Sequence, residues 1–174
     1  PHKFSAVDSM NLWINNTPDE LSMILRRVEM AILNSDEVKM LAGCENLIEA
    51  GNLIRTGKAL SGGQNNGKGP NMLIIKKGGE GVLALFNESV IELPAFPTSK
   101  IIDPTGCGDS FAGALLAHLS IKSNIDREIL TNALIHANVT ASFTIEEMGV
   151  SGIENLNNGT YERRLSKYLE LIED

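Results

Sequence analysis

The sequence predicts a layered α/β domain. Short apolar runs, Met30-Ala31-Ile32-Leu33 and Met72-Leu73-Ile74-Ile75, read as buried strands. Capped segments with helical apolar spacing lie between and after them, opening at Thr17, Asn34 and Asp126. A glycine-rich turn, Gly106-Cys107-Gly108, leads straight into an apolar helical run. Strands alternating with helices favour a sheet covered by helices.

In order, Phe4 to Asp8 reads as a short strand and Ser9 to Asn16 as a loop at its end. Loops of that kind, at the carboxyl edge of an open sheet, are where ligands bind. Trp13 reads either as core or as the wall of such a site. Thr17-Pro18-Asp19-Glu20 predicts a helix start: Thr17 the cap, Pro18 the first helical residue, Glu20 the partner in a capping box. Leu21, Ile24, Leu25 and Val28 give it one apolar stripe. After the strand at Met30, Asn34-Ser35-Asp36-Glu37 opens a further helix, and plain capping chemistry accounts for those residue types. They also suit the water shell of a magnesium ion held by Glu37. Glu45 to Gly57 is helical, with Leu47, Ile48, Leu53 and Ile54 facing inward.

Gly62, then Gly67-Lys68, is a near match to a phosphate-binding P-loop. It lacks the following Ser or Thr, because Gly69 stands there, and it lacks the strand before and the helix after. It reads as a solvent loop. Lys76-Lys77-Gly78-Gly79-Glu80-Gly81 follows the Met72 strand. Its glycines serve either as turn residues or as close approaches for a nucleotide, with a lysine supplying charge. Val82 to Phe86 and Ser89 to Leu93 flank Asn87-Glu88 as a hairpin. Asp126 caps a helix whose packing face is Ile129, Leu130, Ala133, Leu134, Ala137 and Ala141, with His136 and Asn138 near its middle. Thr160 to Ile172 repeats an apolar stripe at Leu165, Tyr168, Leu169 and Ile172.

At 174 residues with 43% hydrophobic and 21% charged side chains, the chain is long enough for one globular domain with a core. A formal net charge of -7 argues against nucleic acid or an anionic membrane as partner. No apolar run approaches the roughly 20 residues that span a bilayer. Pro1-His2-Lys3-Phe4-Ser5 shows no signal-peptide pattern, and Cys44 and Cys107 form no metal-spaced cluster, so a reducing cytoplasm is expected.

Asp103-Pro104-Thr105-Gly106-Cys107-Gly108-Asp109 is the candidate for chemistry. Glycines let successive N–H groups turn into one concavity, and the helix start adds more, which suits phosphate or developing negative charge. A carboxylate at Asp109 is misplaced in such a site unless it takes a proton from an attacking hydroxyl. The plain alternative is an acidic residue in a first helical turn, favoured by the helix dipole.

Together these motifs resemble the ribokinase (PfkB-type) family of carbohydrate and nucleoside kinases. That family's Asp-Thr-x-Gly-x-Gly-Asp signature is similar to residues 103–109, with Pro104 in its second place and Cys107 for a smaller residue. Its Asn-x-x-Glu motif is similar to Asn34–Glu37, and its Thr-Leu-Gly-x-x-Gly loop to residues 76–81, with Lys76 for threonine. The resemblance implies a three-layer αβα ribokinase-like domain. It covers nearly the whole chain but matches only the carboxyl-terminal portion of such a kinase. The amino-terminal half and its β-sheet lid are expected to be absent, and residues 1–174 to form one domain of a kinase of about 300 residues.

The resemblance also implies an activity: ATP-dependent transfer of the γ-phosphate to a hydroxymethyl group of a sugar or nucleoside. Asp109 would be the general base, with Gly106, Cys107 and Gly108 as the anion hole. Asn34, Lys76, Gly78, Gly81, Gly108 and Asn138 would border ATP, Asn138 beside the adenine. Glu37 would organise Mg2+ through water. Asp103 and Thr105, with backbone oxygens around Thr144, Glu147 and Gly149, would hold K+. The acceptor pocket would include Asn11 and Trp13. A homodimer is among the states open to the full-length protein. The other reading is a non-catalytic nucleotide-binding fragment.

Overall fold

The structure, a computed structural model, describes residues 4–173. The absence of a signal pattern at Pro1-His2-Lys3 concerns residues outside these. The chain divides into two compact units, residues 4–78 with 83–92, and residues 79–82 with 93–173.

The first unit is built on the sheet. Strands β1 (Ala6–Asp8), β2 (Met30–Asn34), β3 (Met72–Lys76), β4 (Val82–Phe86) and β5 (Ser89–Leu93) lie side by side in sequence order. β1, β2 and β3 are parallel, with Val7 opposite Ala31 and Leu33 opposite Ile75. Parallel neighbours need crossovers, and helices supply them. α1 (Asn11–Asn16) and α2 (Pro18–Leu25) join β1 to β2; α3 (Ser35–Ala42) and α4 (Leu47–Arg55) join β2 to β3. Leu21, Leu25, Val38, Ala50 and Ile54 from the helices meet Ala31, Leu33, Leu73, Ile75, Leu83 and Leu85 from the strands in one core. β4 and β5 form the expected hairpin, turning at Asn87 (φ 52°).

The second unit is helical. α5 (Cys107–Ser120), α6 (Arg127–Thr144), α7 (Ser151–Glu154) and α8 (Asn158–Glu173) follow a segment without regular secondary structure from Pro94. Asp126 caps α6 as expected, accepting the Ile129 N–H at 2.8 Å. His136 is packed rather than catalytic in geometry: it stacks on His118 at 4.1 Å and its Nδ1 lies 2.6 Å from the Tyr161 hydroxyl. Burial, aided by His118, lowers its pKa.

Several local readings are corrected. Ser9–Asn16 is mostly helix: α1 turns its Ile14 inward and leaves Trp13 48% exposed, so Trp13 is not core. The capping box at Thr17 does not form. Thr17 also closes α1, and its hydroxyl donates back to Trp13 O at 3.3 Å. α2 ends at Leu25, which leaves Val28 outside it, and Ile24 is exposed. In α4 the inward face is Ala50, Gly51 and Ile54, and Ile48 points to solvent.

Candidate active site

In the first unit, three parallel strands end together at Asp8, Asn34 and Lys76. Asn34 caps α3, accepting the Glu37 N–H on Oδ1 at 2.8 Å. Glu37 answers, accepting the Asn34 N–H on Oε2 at 2.7 Å. Such a reciprocal box satisfies two otherwise orphaned donors. Glu37 is 4% exposed. Burial raises its pKa, opposed by the Asn34 N–H and the Lys76 charge and reinforced by Asp8. Lys76 Nζ pairs with Asp8 Oδ2 at 2.8 Å. The structure therefore brings Asn34, Glu37 and Lys76 together and adds Asp8. The only signal for Asp8 was its place at a strand's carboxyl end. Lys77 turns elsewhere, to Glu92 at 2.6 Å.

The two glycines of the following loop differ. Gly78 (φ +58°) has nothing within 4 Å of where a Cβ would project. Gly81 (φ +100°) would place a Cβ 2.1 Å from Leu93 O. Backbone packing alone thus requires glycine at 81.

The P-loop-like stretch is not a phosphate cradle. Its carbonyls point inward onto the Arg26 guanidinium, which donates to Ser61 O at 3.0 Å, to Gly63 O at 2.9 Å and also to Gly67 O. A phosphate cradle presents N–H groups instead.

In the second unit, Asp103 forms an Asx-type turn, Oδ1 accepting the Thr105 N–H at 2.9 Å. The Thr105 N–H and hydroxyl, and then the Gly149 N–H, hold its carboxyl below the usual range. Ile145 O receives the N–H groups of Ile102 (2.9 Å) and Asp103 (3.3 Å). The Asp103 segment and the stretch around Gly149 therefore lie together. Gly106 caps α5 in the left-handed region at φ +81°, without any side-chain bond. The Cys107 N–H donates to Pro104 O at 3.2 Å, and the Ser110 N–H to Gly106 O at 2.8 Å. Among the described residues, the N–H groups of Gly106, Gly108 and Asp109 meet no protein acceptor. Asp109, the third residue of α5, is exposed. Burial raises the Cys107 thiol pKa, with Asp103 adding to it.

Asn138 is 7% exposed, and its amide nitrogen donates to Pro94 O (3.2 Å) and the Tyr168 hydroxyl (2.7 Å). The Tyr168 hydroxyl also donates to Pro94 O, and burial pushes its pKa up to about 12. Among the described residues no three His, Cys, Asp or Glu side chains cluster as a metal site. None of the helices there is long and apolar enough to cross a membrane.

An open glycine helix start followed by a carboxylate is a place where backbone N–H groups can meet an anion. The profile of the pfkB family carbohydrate kinases matches residues 4–156, and the chain belongs to that family. It is 36% identical over 104 residues to the cytidine kinase of Thermococcus kodakarensis, covering 59% of this chain and 33% of that protein. With the aminoimidazole riboside kinase of Salmonella typhimurium it shares 28% over 141 residues, covering 79% and 40%. The crystal structure of aminoimidazole riboside kinase from Salmonella enterica, complexed with aminoimidazole riboside and an ATP analog, superposes with a TM-score of 0.71. Identity is 23%, over 94% of this chain and 52% of that one. Fructokinase from Vibrio cholerae O395, in its fructose, ADP and calcium ion bound form, gives 0.72 at 20% identity, over 93% and 50%. These likenesses show the αβα ribokinase-like fold. The chain spans between a third and about half the length of these relatives.

Proposed function

We propose that the protein is an ATP-dependent kinase that moves the γ-phosphoryl group to a hydroxymethyl group of a sugar or nucleoside. The observation that carries this is the α5 start: N–H groups of Gly106 and Gly108 without an acceptor among the described residues, with Asp109 one residue on. Asp109 takes the proton of the acceptor hydroxyl as its oxygen attacks the γ-phosphorus and ADP leaves. Gly106 and Gly108 donate N–H groups to the transferring phosphoryl oxygens. Cys107 joins them only if its N–H leaves Pro104 O. Positioning and charge stabilisation of this kind dominate phosphoryl transfer.

Asn34, Lys76 and Gly78 border the nucleotide, with Gly81 shaping the backbone there. Asn138 acts through Pro94 and Tyr168, since both its amide N–H groups are used. Glu37 keeps one oxygen beyond its Asn34 bond, which suits the water shell of Mg2+. That ion supplies charge neutralisation of the phosphates. Asp103, kept ionised, suits a monovalent cation such as K+, with Thr105 beside it. The names of the relatives, cytidine kinase, aminoimidazole riboside kinase and fructokinase, support a sugar or nucleoside acceptor. A reducing cytoplasm suits the two free thiols.

The test is Asp109→Asn in the full-length protein, with a sugar and nucleoside panel and ADP release as readout. Turnover is expected to fall about 10²–10⁴-fold, the usual worth of a general base, with nucleotide affinity retained. Robust turnover by that variant would remove Asp109 from the mechanism. Nucleotide binding without turnover of any acceptor by the wild type would favour a non-catalytic nucleotide-binding role. Lys68→Ala is expected to leave nucleotide binding unchanged, and loss of binding would restore the P-loop reading.

A further inference from the structure

The α5 start is left open to a ligand, so something other than a capping side chain must hold its first turn. Two hydroxyls do this. Ser110 Oγ donates to Cys107 O at 3.1 Å, and Thr144 Oγ1 donates to Ser110 Oγ at 2.8 Å. Thr144 is the last residue of α6 and is 1% exposed. Its methyl carbon lies 3.9 Å from where a Cβ on Gly106 would sit.

The other α6 hydroxyls behave differently. Thr131, Thr140 and Ser142 donate to carbonyls of their own helix, Arg127 O, His136 O and Val139 O. Folding back in this way is the usual use of a hydroxyl inside a helix. Thr144 instead reaches out to α5. The chain just beyond it holds the other end of the same stretch, because Ile145 O receives the N–H groups of Ile102 and Asp103. The end of α6 thus grips residues 102–110 at both ends, by a carbonyl at one and a hydroxyl at the other.

We infer that Thr144, acting through Ser110, is a positioning residue that fixes the Gly106–Asp109 turn. It touches no reacting atom. Its catalytic consequence rests on the kinase reading above; its structural role does not.

The experiment has two readouts. The first is amide hydrogen exchange in the protein at Cys107 and Ser110, whose N–H groups are bonded to Pro104 O and Gly106 O. Thr144→Val removes the donor at nearly constant shape, and Ser110→Ala removes the relay. Each should speed exchange at these two amides about tenfold, the net worth of one such bond. Leu115 and Leu134, in the cores of α5 and α6, should keep their wild-type rates. Thr144→Ser, which keeps the hydroxyl, should restore protection. The second readout is kinetic, in the full-length protein. Thr144→Val should lower kcat about tenfold with the nucleotide KM little changed, and Thr144→Ser should recover it.

Unchanged exchange at Cys107 and Ser110 in both deletion variants overturns the inference. So does equal acceleration at Leu115 and Leu134, which marks general loosening. Normal kcat in Thr144→Val with faster exchange overturns the catalytic part. If the wild type transfers phosphoryl to no acceptor, the kinase reading fails, and the exchange rates still decide whether Thr144 fixes the turn.

Discussion

The starts of α3 and α5 are opposite solutions to one problem. Each helix begins with N–H groups that its own backbone cannot satisfy. At α3 two side chains close the account between themselves: Asn34 takes the Glu37 N–H and Glu37 takes the Asn34 N–H. At α5 the capping residue is Gly106, which has no side chain to offer, and the Gly108 and Asp109 N–H groups meet no acceptor among the described residues. The closed start stabilises the helix and leaves side-chain atoms at its opening. The open start presents the backbone itself. Of the two, only the α5 start has donors that need not first be released from a side chain.

The largest stability effect that sharpens this contrast is expected at Gly106. Gly106→Ala must adopt φ near +81°, which costs an L-residue about 1–2 kcal/mol. The added Cβ has room, its nearest neighbour being Thr144 at 3.9 Å, so the loss is conformational rather than steric. Gly106→Asn should lose less, since asparagine tolerates the left-handed region. Urea unfolding of the two variants checks this. Equal losses would mean that packing, not backbone conformation, selects glycine there.

Next comes the closed start. Asn34→Ala removes the acceptor for the Glu37 N–H and should cost about 1 kcal/mol, the typical worth of a cap. Asn34→Ser keeps an acceptor and should recover most of it. If Asn34→Ala were neutral in urea unfolding, the box would be an accessory and α3 would be held by Val38 and its neighbours in the core alone.

The same contrast marks what a sequence reader can see. Asn34-x-x-Glu37 and Thr17-x-x-Glu20 are the same pattern, yet only the first closes. Asn34 ends a strand and has extended backbone (φ -85°, ψ 167°), which aims its side chain at the helix. Thr17 ends one helix while starting another (φ -138°, ψ 52°), and its hydroxyl is already given to Trp13 O. Local chemistry was legible at the hairpin, the Asp126 cap and the glycine turn, where the partners lie within a few residues. Distant partners were not. Asp8 and Lys76 are 68 positions apart, and Thr144 and Ser110 are 34 apart. Arg26 reaches Ser61 and Gly63 across 35 and 37 positions. Nothing in the glycine-rich loop announces that its carbonyls face inward. Apolar spacing likewise fixed the type of α2 and α4 but not which side faces the core, so Ile24 and Ile48 were misplaced.

The smallest effect concerns the charge inside the closed box. Glu37→Gln keeps an oxygen to accept the Asn34 N–H, so the cap should survive. What changes is the titration. Burial raises the Glu37 pKa above its ordinary value of 4.5 in the folded protein, so the fold binds that proton more tightly than the unfolded chain does. The stabilisation from protonation is complete below about 4.5, the unfolded value, and is lost as pH rises through the folded one. The wild type should therefore lose stability over that interval relative to Glu37→Gln, which carries no proton to lose. Urea midpoints of the two proteins at pH 4 and at pH 7 measure this. The variant's advantage should grow towards pH 7. A gap that shrinks instead would mean that the Asn34 N–H and the Lys76 ammonium outweigh burial, and that the buried carboxylate is at home as an anion.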